Sequence, residues 1–269
     1  MKYDPVKRSL GNLFNKTPFL RKTFYHLLNL LLLRSWHIRR ELRKVRTTLP
    51  DSPEILDAGS GFGQYVYTMA LQFPAAKITA VDVKQEQIDD CNVFFNRIGK
   101  SDRILFEYAD LTTFSKPDTY DLALSVDVME HIEDDVAVFK NLAKSLKKGG
   151  VLLISTPSDQ GGSDVHYDHD DSFIEEHVRD GYSVEDIETK LKTAGFSTVE
   201  TRYSYGVPGK ISWRLSMKWP ILMANTSKLF LLLLPFYYLL AYPVSFVLNI
   251  LDIHTRHKTG TGLIVKCIK

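Results

Sequence analysis

Asp57, Asp82 and Asp110 stand at positions where a nucleoside ligand could be read. Asp57 is followed by Ala58 and then by Gly59-Ser60-Gly61-Phe62-Gly63. Glycines there let a ligand approach the backbone, and a helix starting beyond them offers unpaired N–H groups. A dinucleotide-binding loop would carry its third glycine where Gln64 stands. The tighter glycine spacing, with an acid just before it, suits a ligand bearing an ammonium, because Asp57 would repel a diphosphate. Asp82 comes 19 residues after Gly63. A carboxylate there can accept both hydroxyls of a ribose, or it can cap the segment that starts at Gln85. Asp110, within Ala109-Asp110-Leu111, can accept from an adenine amino group.

These acids need strand ends to present them, and the pattern supplies such ends. Short buried runs at 54–58, 77–82, 104–108, 120–126, 151–155 and 197–203 read as strands. Helices are predicted over 64–72, 85–98, 134–146 and 183–194, with Ser183 capping the last and Gly195 ending it. Strands alternating with helices at this spacing predict a doubly wound, mostly parallel α/β sheet. A last strand is expected at Gly262–Ile268. Thr17-Pro18 opens a helix predicted to run to about Arg46, with Phe24, Leu31, Ile38 and Val45 on one apolar stripe and Arg39, Arg40, Arg43 and Lys44 opposite.

Taken together, Asp57 to Gly63, Asp82, Asp110, Tyr120-Asp121-Leu122, Val128-Met129-Glu130-His131-Ile132 and Lys148-Gly149-Gly150-Val151-Leu152 resemble the successive motifs of the class I S-adenosylmethionine-dependent methyltransferases. The resemblance covers residues 54 to about 200 and is closest to the small-molecule, quinone-precursor and lipid methyltransferases. It implies a seven-stranded Rossmann-like sheet whose seventh strand is antiparallel. It also implies S-adenosylmethionine as cofactor, held by Asp57, Gly59, Ser60, Gly61, Gly63, Asp82, Val83, Ala109, Asp110 and Leu111. Asp127 and Val128 would line its methionine end. Two other readings are a nicotinamide-dependent oxidoreductase and an inactive, membrane-binding relative of the methyltransferases.

The transfer step is less plainly written. In-line displacement at a sulfonium needs a base only if the acceptor must lose a proton. His131, which follows the fourth strand, is the candidate base; a local structural role is the alternative. Between Asp164 and Glu188 lie ten acids and one base, Arg179. This stretch holds His166, His169 and His177, which are candidate substrate-side residues. It reads as an active-site lid; no spacing in it is specific for a metal, and no metal ligands are assigned.

Charge and hydropathy divide the chain. Residues 1–50 carry a net +10, residues 51–199 carry −15, and residues 200–269 carry +7. The basic ends are also the most apolar parts, which suits a membrane surface better than nucleic acid. The acidic stretch would repel phosphate, so no nucleic-acid partner is expected. Leu229–Leu251 holds 23 residues without a charge. One crossing would strand the last strand on the wrong side of a bilayer, and Pro235 and Pro243 are expected to break the run. The run at Leu27–Leu33 starts late and ends in arginines, unlike a signal peptide. Cys91 and Cys267 offer neither a disulfide framework nor a zinc spacing, which suits a reducing compartment. The expected organisation is a basic helical arm (1–50), a catalytic core (51–209), an apolar helical insert (210–258) and the last strand (259–269). The expected setting is cytoplasmic, with membrane contact through 17–46 and 210–255. A lipophilic or aromatic small-molecule acceptor is expected, and an oligomer is possible.

Overall fold

The computed structural model describes residues 17–161, 178–226 and 230–269. Two helices come first, α1 (Pro18–Leu31) and α2 (Leu33–Val45). Then follow β1 (Glu54–Ala58), α3 (Gln64–Gln72), β2 (Lys77–Asp82), α4 (Gln85–Arg97), β3 (Ile104–Tyr108) and β4 (Tyr120–Val126). A short 3-10 turn, Met129–His131, leads to α5 (Asp135–Ser145), β5 (Leu146–Pro157), α6 (Val184–Thr193) and β6 (Thr198–Ser204). The insert consists of α7 (Val207–Trp213), a π-turn (Arg214–Lys218), α8 (Trp219–Thr226) and α9 (Phe230–His254). Strand β7 (Gly262–Ile268) closes the chain.

The strands form one sheet in the order β3-β2-β1-β4-β5-β7-β6. Pairs among β1 to β5 are parallel, and β7 runs antiparallel to both β5 and β6. This is the doubly wound, seven-stranded architecture expected from the sequence. Alternation along each strand builds two cores. Ile55, Leu122, Leu124 and Leu153 face a core completed by α2, α3 and α4. Leu56, Ala123, Leu152 and Ile154 face the other, completed by α5 and α6. Order reverses between β1 and β4, and the carboxyl ends of the strands at such a point are where sheets of this kind place their ligand crevice.

The N-terminal helices depart from the expected single amphipathic rod. Leu32 takes extended backbone (φ −86°, ψ 111°), which ends α1 and caps α2. That break resets the stripe. Helix α2 buries Ile38, Leu42 and Val45 in the first core, each worth about 1.5–3 kcal/mol of apolar burial. It is therefore part of the core, not of an arm. Helix α1 instead buries Arg21, Tyr25 and Asn29, while Phe19, Leu27 and Leu30 lie exposed.

The insert also differs in detail. It begins at Val207 rather than 210, and Pro235 and Pro243 lie inside the single helix α9. Each proline removes one backbone donor, yet contacts with the antiparallel α7–α8 segment hold the helix together. Tyr237 and Tyr238 donate to the carbonyls of Leu215 and Ser216, at 2.7 and 2.8 Å. Ser212 donates to Asn249 at 2.6 Å. Near its end, α9 is anchored by Asp252, which is fully buried. Asp252 accepts from the backbone of Gly209 (2.9 Å) and Tyr205 (3.2 Å) and from His37 Nε2 (2.8 Å). Arg202 faces the other ring nitrogen, at 3.0 Å. Since an arginine can only donate, His37 must carry its proton on Nε2.

Candidate active site

Strand β1 delivers Asp57 and Ala58 to the crevice and releases the chain into the glycine loop. The amides of Gly59 and Ser60 both donate to the Val81 carbonyl, at 2.9 Å each. Asp82 completes the attachment: its Oδ2 accepts from Gly61 N (2.8 Å) and its Oδ1 from Lys84 N (3.0 Å). Asp82 thus staples the loop to the end of β2 and closes a tight turn onto Lys84, the residue before α4. Gly59 has φ +86°, and a Cβ there would run into the Val128 side chain. No other residue satisfies both the left-handed backbone and that contact.

Asp57 is 2% exposed, and its Oδ2 has no hydrogen-bond partner among the described residues. The buried Ser60 hydroxyl is in the same condition. Burial, and then the charge of Asp82, push the Asp57 carboxyl up to about 8. A buried polar group left without a partner costs about 1–3 kcal/mol, so the site is built for something that supplies the missing donor.

Across the crevice, Asp127 follows β4 with φ +52°, an uncommon conformation for a residue with a side chain. Its N–H extends the β4–β5 pairing to Ser155 O (2.8 Å), and its carboxylate forms an ion pair with Arg34 of α2. Arg34 N donates to the Tyr205 hydroxyl at 3.1 Å. Burial opposes the charge on Arg34, but Asp127 and the phenols of Tyr65 and Tyr205 more than offset it, and its pKa is raised. Its Nε has no hydrogen-bond partner among the described residues. Behind Asp127, Glu130 is 1% exposed and accepts from Thr156 Oγ1 at 3.1 Å. Burial and then the neighbouring Asp127 push Glu130 up to about 8.

The remaining sequence candidates fall into three groups. Asp82, Val83, Ala109 and Asp110 lie together past the ends of β2 and β3, where Ala109 N donates to Asp82 O at 3.1 Å. Asp110 Oδ1 accepts from Thr112 N (2.9 Å) and Oγ1 (2.7 Å); these bonds lower its pKa and fix the turn. Leu111 is buried in the second core. His131 is exposed at the end of the 3-10 turn, next to Glu130. His166, His169 and His177 lie outside the described residues, as does most of the expected lid. Among the described residues, no cluster of His, Cys, Asp or Glu is arranged to hold a metal ion.

Arg34, Tyr65, Tyr205 and Glu130 were not singled out from sequence. Glu130 sits inside a quoted motif, but the others reach the crevice from α2, α3 and the end of β6. Only tertiary structure brings them together.

Comparison with known proteins agrees with this geometry. A methyltransferase domain family model matches residues 33–201. Phosphoethanolamine N-methyltransferase 1 of Arabidopsis thaliana is 32% identical over 165 residues, which are 57% of this chain and 30% of that enzyme. The chain thus spans under a third of the length of such relatives. A phosphoethanolamine N-methyltransferase 2 of Haemonchus contortus, solved with phosphomonomethylethanolamine and S-adenosylhomocysteine, superposes with a TM-score of 0.60 at 20% identity, covering 87% of this chain and 52% of that one. The [4+2]-cyclase SpnF superposes with 0.57 at 19% identity, covering 86% and 81%. At these identities the superpositions speak for fold alone, and the cyclase shows that one fold hosts different chemistries. The family match, which starts inside α2 and runs to β6, establishes that the chain belongs to the methyltransferase domain family, with the fold of the class I S-adenosylmethionine-dependent enzymes.

Proposed function

We propose that this chain transfers a methyl group from S-adenosylmethionine to a lipophilic or aromatic small molecule at a membrane surface. The observation that carries the cofactor reading is the orphaned carboxyl of Asp57 at the end of β1, with the Arg34–Asp127 ion pair just past the end of the adjacent strand β4. A free amino-acid end is a zwitterion. Its ammonium suits Asp57 and Asp127, and its carboxylate suits the Arg34 guanidinium with its spare Nε. Asp82 keeps lone pairs for ribose hydroxyls, and Asp110 Oδ2 would accept from an adenine amino group. When bound, S-adenosylmethionine supplies a methyl group on a positively charged sulfur that leaves as a neutral thioether. The protein contributes alignment, exclusion of water and, where the acceptor must lose a proton, a base. His131 is the candidate for that base, and the buried Glu130 behind it is the candidate for holding a proton nearby. A nicotinamide ligand fits less well, because its diphosphate would face Asp57.

The membrane part rests on inverted helices. Helix α9 turns Ser245, Asn249 and Asp252 inward and leaves Phe236, Leu239 and Leu240 70–78% exposed. By length and composition, Leu232–His254 could cross a membrane. Its antiparallel packing on α7–α8, and the return of the chain to β7, favour a hairpin lying in one leaflet. Lys210, Arg214 and Lys218 on the partner segment suit an anionic surface. The two buried free cysteines fit a cytoplasmic setting.

Mass spectrometry of membrane lipid extracts incubated with enzyme and isotopically labelled cofactor tests the activity. Appearance of label in an extractable product is the expected result. Co-sedimentation with neutral and anionic vesicles tests the surface. Binding should weaken with salt without vanishing, because the apolar part is not screened; absence of binding to either vesicle would refute the membrane reading.

A further inference from the structure

Core packing accounts for only part of what α1 buries. The ring of Tyr25 joins the first core against Tyr67 and Phe94, but the polar Arg21 and Asn29 are buried beside it while Phe19, Leu27 and Leu30 lie exposed. Arg21, Tyr25 and Asn29 recur every fourth position, so they share one face. Their partners lie in and beside the glycine loop. Arg21 Nη2 donates to the carbonyl of Phe62 (3.0 Å), and Tyr25 Oη donates to the same oxygen. Arg21 Nη1 reaches the Asp90 carbonyl (3.1 Å), and Nη2 also meets Cys91 Sγ (3.1 Å). Arg21 Nε donates to Tyr25 Oη at 2.7 Å, and the guanidinium lies 4.7 Å from the centre of the Phe94 ring. Asn29 accepts from Gln64 Nε2 (2.9 Å) and donates to Thr68 Oγ1 (3.1 Å), while Gln64 Nε2 also donates to Ser35 of α2 (3.0 Å).

Phe62 and Gln64 flank Gly63, whose φ is +81°. A Cβ at Gly63 would press on Cys91, Phe106 and Phe95 at 3.2–3.3 Å. The loop is thus gripped on both sides of its last left-handed residue. From the opposite side, Asp82 holds Gly61. We infer that Arg21, Tyr25 and Asn29 are positioning residues that clamp the glycine loop in the shape that receives the cofactor. Helix α1 serves the cofactor half of the site, not only a membrane-facing arm. Burying a guanidinium among carbonyls and rings, with no carboxylate hydrogen-bonded to it among the described residues, is expensive as packing. It becomes understandable if the return is a fixed backbone conformation at the loop, where small misplacement is costly. Gln64, at the position where a dinucleotide loop would carry glycine, has its own role here: its side chain is the handle by which α1 and α2 hold the first turn of α3.

This inference rests on the loop being the cofactor site, and the experiment separates the two. The full chain and its Arg21→Ala, Arg21→Lys and Tyr25→Phe variants are titrated with S-adenosylhomocysteine by calorimetry, well below their unfolding temperatures. Hydrogen exchange is followed at residues 59–65 and, for reference, in β4. Tyr25→Phe keeps the ring and its packing, so it reports on the hydroxyl even where Arg21→Ala weakens the fold. Arg21→Ala should bind about tenfold more weakly and Tyr25→Phe about threefold, the scale of one lost hydrogen-bonded anchor. Arg21→Lys should recover part of the loss, and exchange should quicken in the loop but not in β4. Folded variants that bind like the parent, or that quicken exchange in loop and β4 alike, overturn the clamp. A parent chain that binds no S-adenosylhomocysteine overturns the cofactor reading together with it.

Discussion

Replacing Asp57 by Asn should make the ligand-free protein more stable while weakening its hold on the cofactor. The carboxyl is buried, its Oδ2 lacks a partner, and it is pushed from the usual 3.8 to about 8. At pH 7 the folded chain must then hold a proton that the unfolded chain releases. Each tenfold in that equilibrium is worth about 1.4 kcal/mol, which gives about 4 kcal/mol as an upper bound. Relaxation and water entry in a real interior reduce this to roughly 2 kcal/mol. The sign follows from the raised value. Stability is greatest below about 4, where both states are protonated, and falls as the pH rises toward about 8. Asparagine removes this dependence, so the melting temperature of Asp57→Asn at pH 7 should rise by about 4–8 °C. Loss of a charge-assisted bond of about 1.5–3 kcal/mol should weaken S-adenosylmethionine binding by roughly 10- to 150-fold. Thermal unfolding from pH 5 to 9 and calorimetric titration measure the two effects. Parallel pH profiles for parent and variant would refute the account of the carboxyl, and undiminished binding would refute its role toward the ammonium.

Asp82→Ala removes the acceptor for Gly61 N and Lys84 N as well as the ribose contact, so calorimetry should find no measurable cofactor binding, with a stability loss of about 1–3 kcal/mol by urea unfolding. Arg34→Ala leaves Asp127 without its cation; cofactor affinity should fall about tenfold or more, and Arg34→Lys, which keeps charge but not the planar fork, should restore only part of it in the same titration. Leu42→Ala, in the first core, should destabilise the fold by about 2–5 kcal/mol in urea unfolding. Its cofactor affinity, measured where the variant is folded, should stay near that of the parent.

The sheet was readable because its signal is local. Runs such as Ile78-Thr79-Ala80-Val81 and Gly262–Ile268 are too short and too apolar for anything but central strands, and their ends follow from the acids and glycines beside them. The glycine loop after β1, and the placing of the acids at 57, 82 and 110 at or just past strand ends, were readable for the same reason. The N-terminal helices were misread because one extended residue, Leu32, shifts the phase of everything before it. A spacing of seven from Phe24 to Val45 therefore joined two stripes that do not exist as one. The prolines of α9 were read as breaks because sequence shows the missing donors but not the neighbouring helix that tolerates them. Arg34, Tyr65 and Tyr205 had no local mark at all: each becomes a candidate only because distant elements converge on Asp127.

Strands β6 and β7 are antiparallel neighbours with Ser204 opposite Gly262. Topologically, residues 205–261 are therefore the oversized tip of an ordinary β-hairpin. Such a tip is exchangeable, since a short turn could join the same two strand ends with the sheet register unchanged. The whole apolar insert can be gained, lost or traded between related chains without redrawing the fold. Excision is not wholly free, because Asp252 leaves with the insert and the buried Nε2–H of His37 loses its acceptor, while Arg202 keeps its contacts with Nδ1 and Glu41. An excised chain would need a small change at residue 37, and the presence of histidine there is a trace of the insert written into a helix more than 160 residues upstream.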